Sequence, residues 1–248
     1  MKLLKNRFYP VLAFIFLLMI VSFGSMFVSS GTPSFSKQEG IIVETMNQYN
    51  SRIKDSSLKV VASVNGSNIY LSEVLRLEAN DKINIKLNLL YAETAFQNGE
   101  IDQVQYKNLV SEITNESNAK SRKDILDILI RNELLYQEAI NLGYIVTIEE
   151  AYQYELSMDS KMKTTDPKGY LAYNNYTETL AISFGMAYDE YIRAFVVPVR
   201  QKYLAADLLI NDQLKKKGIL VSQVDLVGEH LNNLYTDLYN QARIVEFQ

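Results

Sequence analysis

The residues able to do chemistry are few. One histidine, His230, stands in 248 residues that contain no cysteine. There is therefore no thiol nucleophile, no thiolate metal site and no zinc site built from several imidazoles. A Ser-His-Asp triad would have to use His230, which sits in Gly228-Glu229-His230-Leu231 and reads as a solvated helix residue. Glu150 follows Thr147 at capping-box spacing, and Asp124 and Asp127 open a helical pattern whose dipole they offset. Ser72 reads as a helix cap, with no base nearby in sequence. No catalytic residue, metal ligand or cofactor site is named on this basis, and the chain is read as non-enzymatic.

What remains is binding chemistry. Tyr152, Tyr154, Met158, Met162, Tyr170, Tyr173, Tyr176, Phe184, Met186, Tyr188, Tyr191 and Phe195 crowd one stretch of the chain. A tyrosine ring buries apolar area while its hydroxyl keeps a polar partner, and methionine adapts to irregular surfaces. Together they would suit a wet groove that holds unfolded polypeptide. The competing reading is that these rings fill a helical core.

The elements that must position them begin after an export signal. Lys2, Lys5 and Arg7 precede an uncharged apolar run, Val11 to Val28, which as a helix rises about 27 Å against a hydrocarbon core of about 30 Å. Residues 1–30 are read as a signal peptide or membrane anchor, with Val28-Ser29-Ser30 offering small residues for cleavage. The remainder would face outside the cytoplasm, anchored or secreted. It carries 22 basic and 29 acidic side chains, a balance that disfavours nucleic acid as a partner. Lys215-Lys216-Lys217, the one basic run, precedes Gly218 and suits a helix C-terminus.

Residues 31–58, rich in Ser, Thr, Lys and Gln, read as a tether with a short amphipathic piece from Ile41 to Ile53. From residue 59 to 248 the pattern is mainly helical with a small β-hairpin. Val60 to Val64 is β-branched and ends at Asn65-Gly66, a tight-turn signal, with a return strand from Ser67 to Tyr70. Helical spacing then runs almost continuously. Its clearest member is Asp124 to Leu142, apolar at Ile125, Leu126, Leu129, Ile130, Leu134 and Ala139 and closed by Gly143. Asp166-Pro167-Lys168-Gly169 breaks the helix that follows. A long helix from Tyr188 to Lys217 should kink at Pro198, another runs from Val224 to Gln241, and Ile244-Val245 is expected to pair with Val60 to Val64.

Two blocks resemble a known family. Val60-Val61-Ala62-Ser63-Val64-Asn65-Gly66-Ser67-Asn68-Ile69-Tyr70-Leu71-Ser72-Glu73-Val74 looks like the opening of the SurA-like chaperone domain of SurA, PrsA and related parvulin-type foldases. Ile125 to Ala139, Leu142-Gly143-Tyr144 and Val146 to Glu150 are similar to that family's buried helix and its successor. The resemblance, over residues 59–217, implies a multi-helix chaperone domain that holds unfolded or exported polypeptides. Sequence for the isomerase domain is missing after Gln248, and no second histidine exists for the usual pair. The resemblance therefore implies holding without prolyl isomerisation. Two other roles stay open: a module docking one cell-envelope partner, and a vestigial isomerase.

Overall fold

The structure is a computed structural model, and it describes residues 33–115 and 120–247. The expected signal or anchor in residues 1–30 lies outside the described residues. Among the described residues, no helix is long and apolar enough to cross a membrane.

The segment expected to be a tether is a helix of the core. Helix α1, Phe35–Asp55, buries Ile42, Thr45, Met46, Tyr49 and Ile53, a stripe at three- and four-residue spacing. That stripe packs with Leu75, Ala79, Ile83, Leu87 and Tyr91 of α2, Leu71–Gln97, and with Leu180 and Ala181 of α6, Pro167–Phe184. The polar composition of residues 31–58 belongs to the other faces of α1, so the boundary expected at residue 59 is replaced by continuous packing.

The hairpin forms as expected. Strands β1, Val60–Val64, and β2, Ser67–Tyr70, pair antiparallel across Asn65 (φ 51°) and Gly66 (φ 92°), both in the left-handed region that a tight hairpin turn requires. Strand β3, Ile244–Glu246, pairs antiparallel with the other side of β1, giving the order β2-β1-β3. Asn65 also fastens the C-terminal strand: its Oδ1 accepts from the Arg243 amide at 2.8 Å, and its own amide donates to the Arg243 carbonyl at 2.9 Å. The buried side of the sheet, Ala62, Val64 and Ile69, rests on Ile130 and Leu134 of α4, Arg122–Asn141.

Caps define most helix ends. Helix α3, Gln103–Thr114, starts on Asp102, which accepts from the amides of Val104 and Gln105. It lies on α2 through the stack of Phe96 on Tyr106, centroids 4.9 Å apart. Helix α4 ends with Gly143 at φ 84°. Thr147 and Glu150 form the reciprocal capping box of α5, Ile148–Thr165. Asp166 both ends α5 and caps α6 through the Gly169 amide. Ser72 is not a cap; the N-cap of α2 is Tyr70, two residues earlier, and Glu73 accepts from the Tyr70 amide at 2.8 Å.

Pro198 acts through a π turn. Helix α7, Tyr188–Tyr191, runs into a π-helical segment, Ile192–Val196, and then into α8, Val197–Lys216. Proline offers no N–H to the carbonyl of Ala194 and its ring crowds it. Widening the preceding turn relieves both problems while the chain stays helical on either side. Helix α9, Val224–Gln241, packs on α8 and α4 around Leu135, Ile210, Leu214 and Val227.

His230 is not solvated. It is 6% exposed, with Nδ1 3.1 Å from Lys217 Nζ, so Lys217 donates and the ring is neutral. Its Nε2 is buried without a partner. Burial, and then the Lys217 charge, hold its pKa below the ordinary histidine value. The fold thus prefers the neutral ring. Stability is full above the unfolded pKa of about 6.5 and is lost as the pH falls from there toward the depressed folded value. Urea midpoints should drop between pH 7 and pH 5, and His230→Gln should flatten part of that drop. An unchanged slope in the variant would remove the histidine from the account.

Candidate functional site

Three helices and the hairpin leave a cleft of about 160 Å³. Helix α2 supplies Glu73 and Arg76, β2 supplies Asn68 and Ile69, and α4 supplies Leu129, Asn132, Glu133 and Leu135. The π turn and α8 close it with Phe195, Pro198, Val199, Lys202 and Tyr203. The wider turn set up by Pro198 carries Phe195 between two environments. One side of its ring meets Phe184 and Tyr191, with centroids at 5.2 and 5.3 Å. The Arg76 guanidinium lies 4.6 Å from its centroid.

The charges in the cleft are unequally answered. Glu133, 7% exposed, accepts from Lys202 Nζ at 2.7 Å and from Gln137 at 2.9 Å. Burial pushes its carboxyl up, but Lys202 and the hydrogen bonds outweigh that and hold it below the usual carboxylate range. Asn132 donates to the Tyr203 hydroxyl at 2.9 Å. Arg76 has the Phe195 ring beneath it and makes no hydrogen bond or ion pair with a described residue. Burial lowers its pKa, with Glu73 and Tyr191 opposing. Glu73 spends one oxygen on the Tyr70 amide. The cleft therefore offers apolar walls and one cation without a hydrogen-bonded acceptor among the described residues, which is recognition chemistry.

A larger hollow, about 580 Å³, lies beside the turn and β3 and is lined by Ser63, Asn65, Gly66, Arg243, Val245 and Phe247. It is an open trough with Val245 and Phe247 37% and 51% exposed, and Asn65 in its lining is already bonded to the Arg243 backbone.

The twelve residues expected to line a groove do not share one concavity. Tyr191 is buried in the α1–α2–α6 core, and Tyr176, Phe184, Met186 and Phe195 pack against it; burial pushes the Tyr191 hydroxyl up to about 12. Tyr152 and Tyr188 pack on Ala139, Val146, Ala151 and Ile192. The Tyr152 hydroxyl donates to Asp189 at 2.7 Å, while that of Tyr188 is buried without a partner. Tyr173 donates to the buried Glu155 at 2.7 Å, and Tyr154 lies beside Arg200. Met158, Met162 and Tyr170 are partly buried on α5 and α6, with Lys163 over the Tyr170 ring. Phe195 alone of the twelve also lines the cleft.

Sequence reasoning passed over Arg76, Glu133 and Lys202. A signal was present for two of them. Arg76 interrupts the apolar run Val74-Leu75-Arg76-Leu77, and Glu133 falls on the buried face set by Leu129 and Ile130. A charge at such a position must be paired inside the fold or serve a ligand.

Among the described residues, no group of His, Asp and Glu is placed to hold a metal ion. Compared with family models, curated proteins and solved structures, the chain matches none.

Proposed function

We propose that this domain holds segments of other polypeptides without altering them, outside the cytoplasm and close to the membrane it is exported through. The observation that carries the reading is the cleft: Leu129, Leu135, Phe195 and Val199 form apolar walls beside a guanidinium that makes no hydrogen bond or ion pair with a described residue. Apolar and aromatic contacts of this kind tolerate many client sequences. Strand β2, an edge of the sheet, contributes Asn68 and Ile69 to the same cleft, so an extended segment laid there meets strand backbone able to pair with it. The resemblance to SurA-like chaperone domains supports the same role.

Light scattering from an aggregating client tests this. Stoichiometric amounts of the full-length chain should suppress aggregation. Val199→Asp, at a position 36% exposed on α8, should fold and lose most of the suppression. Absence of suppression by the unaltered chain would end the holding reading. A second reading, a module that docks one cell-envelope partner, draws on Arg76, because a desolvated guanidinium favours a partner that brings a fixed acceptor. Crosslinking followed by capture separates the two: many clients support holding, and one dominant partner supports docking.

A further inference from the structure

Arg76 narrows what the cleft takes. A guanidinium presents five N–H donors in a planar fork that matches a carboxylate with two parallel hydrogen bonds. Here that fork opens into the cleft over Phe195, with no acceptor from the described chain. The other cation, Lys202, is already closed on Glu133 at 2.7 Å. Glu73 and Glu133 line the same space, so a dianionic phosphate meets more repulsion there than a singly charged carboxylate does. At about 160 Å³ the space falls below the roughly 300–1,000 Å³ of pockets for drug-sized ligands, and suits one residue. Charge and apolar wall are side by side within that small space. In an aspartate or glutamate, the carboxylate ends the side chain and no apolar group stands next to it. Only at a chain's C-terminus does one apolar residue carry both.

We propose that the cleft binds the C-terminal residue of a polypeptide, with its carboxylate on Arg76 and its apolar side chain against Phe195 and Val199. This rests on the holding role proposed above and specifies which part of a client is held.

Fluorescence anisotropy with the full-length chain tests it. The probe is a labelled peptide of about ten residues ending in leucine, prepared as the free acid, as the C-terminal amide, and as the amide with one internal glutamate. The free acid should bind about 10- to 100-fold more tightly than the amide, the range for losing a charge-assisted hydrogen-bonded pair. Arg76→Gln should remove most of the difference between acid and amide, while Arg76→Lys should restore part of it. Equal affinity for acid and amide would overturn the proposal even if both bind and aggregation is still suppressed, which leaves the holding role standing. Full recovery by the internal glutamate would overturn the C-terminal source. Failure of every peptide to bind, together with no suppression of aggregation, would remove both readings. Because acid and amide are compared on the same unaltered protein, the result does not depend on how the variants fold.

Discussion

Glu155→Gln will destabilise the fold by about 3–5 kcal/mol, the usual cost of breaking one side of a buried ion pair. Glu155 is 3% exposed. It accepts from Arg200 Nε at 2.8 Å and from the Tyr173 hydroxyl at 2.7 Å, so that α5, α6 and α8 meet on one carboxylate. Burial alone would lower the Arg200 pKa; the charge of Glu155 more than reverses this. Glutamine keeps the shape but removes the carboxylate charge that faces the guanidinium, whose side chain is 16% exposed. Replacing both members, Glu155→Met with Arg200→Met, should cost less than Glu155→Gln alone, because no buried charge is then left uncompensated. Urea unfolding at constant m-value measures both. A loss under about 1 kcal/mol for Glu155→Gln would show that the seam is held by packing alone. Because Arg200 adjoins Val199, and Val199 is part of the cleft wall, the less stable variant should also hold client less well.

Legibility followed the range of the interactions involved. The Asn65-Gly66 turn, the Thr147 capping box, the break at Asp166-Pro167 and the stop at Gly143 each depend on a few neighbouring residues, and each is found where the sequence puts it. The pairing of β3 with β1 was also legible, since a short apolar strand at the C-terminus needs an edge and β1 provides one. Pro198 announced a disturbance, though not that a π turn would absorb it. The failures share a cause. The amphipathic piece from Ile41 to Ile53 was visible, but the polar composition averaged over residues 31–58 assigned it to a tether, whereas its stripe Ile42, Met46, Tyr49 and Ile53 is buried in the core. Ring identity in the stretch from Tyr152 to Phe195 did not say which helix face each ring occupies, and faces decide between core and groove. His230 looked polar beside Glu229, yet it is turned toward α8 and Lys217. The cleft escaped because its members come from β2, α2, α4 and α8, and nothing local in the sequence joins Arg76 to Phe195.

The role of α1 gives the second large effect. Ile42→Ala should cost about 2–5 kcal/mol, and Met46→Ala a similar amount, the range for truncating a buried aliphatic side chain where the surroundings cannot collapse. Both residues are 1% exposed, in a cluster with Tyr49, Leu75, Ile83 and Leu87. A tether would show no such cost, so the contrast with Phe35→Ser is decisive: Phe35 is 45% exposed, and its replacement should fall within about 0.5 kcal/mol. Urea midpoints give the comparison directly, and a negligible effect at Ile42 would return residues 31–58 to the role of a linker. Polar bonds reinforce the docking. The Tyr49 hydroxyl donates to Glu78 at 2.8 Å, and the other oxygen of Glu78 accepts from Arg122 at 3.0 Å, so one carboxylate of α2 ties α1 to α4. The consequence reaches the cleft, because Phe195 packs on the cluster that α1 completes and lies under Arg76. If α1 is loosened, the ring that positions the guanidinium loses its backing. Ile42→Ala should therefore weaken peptide binding as well as stability, although Ile42 is not among the residues that line the cleft.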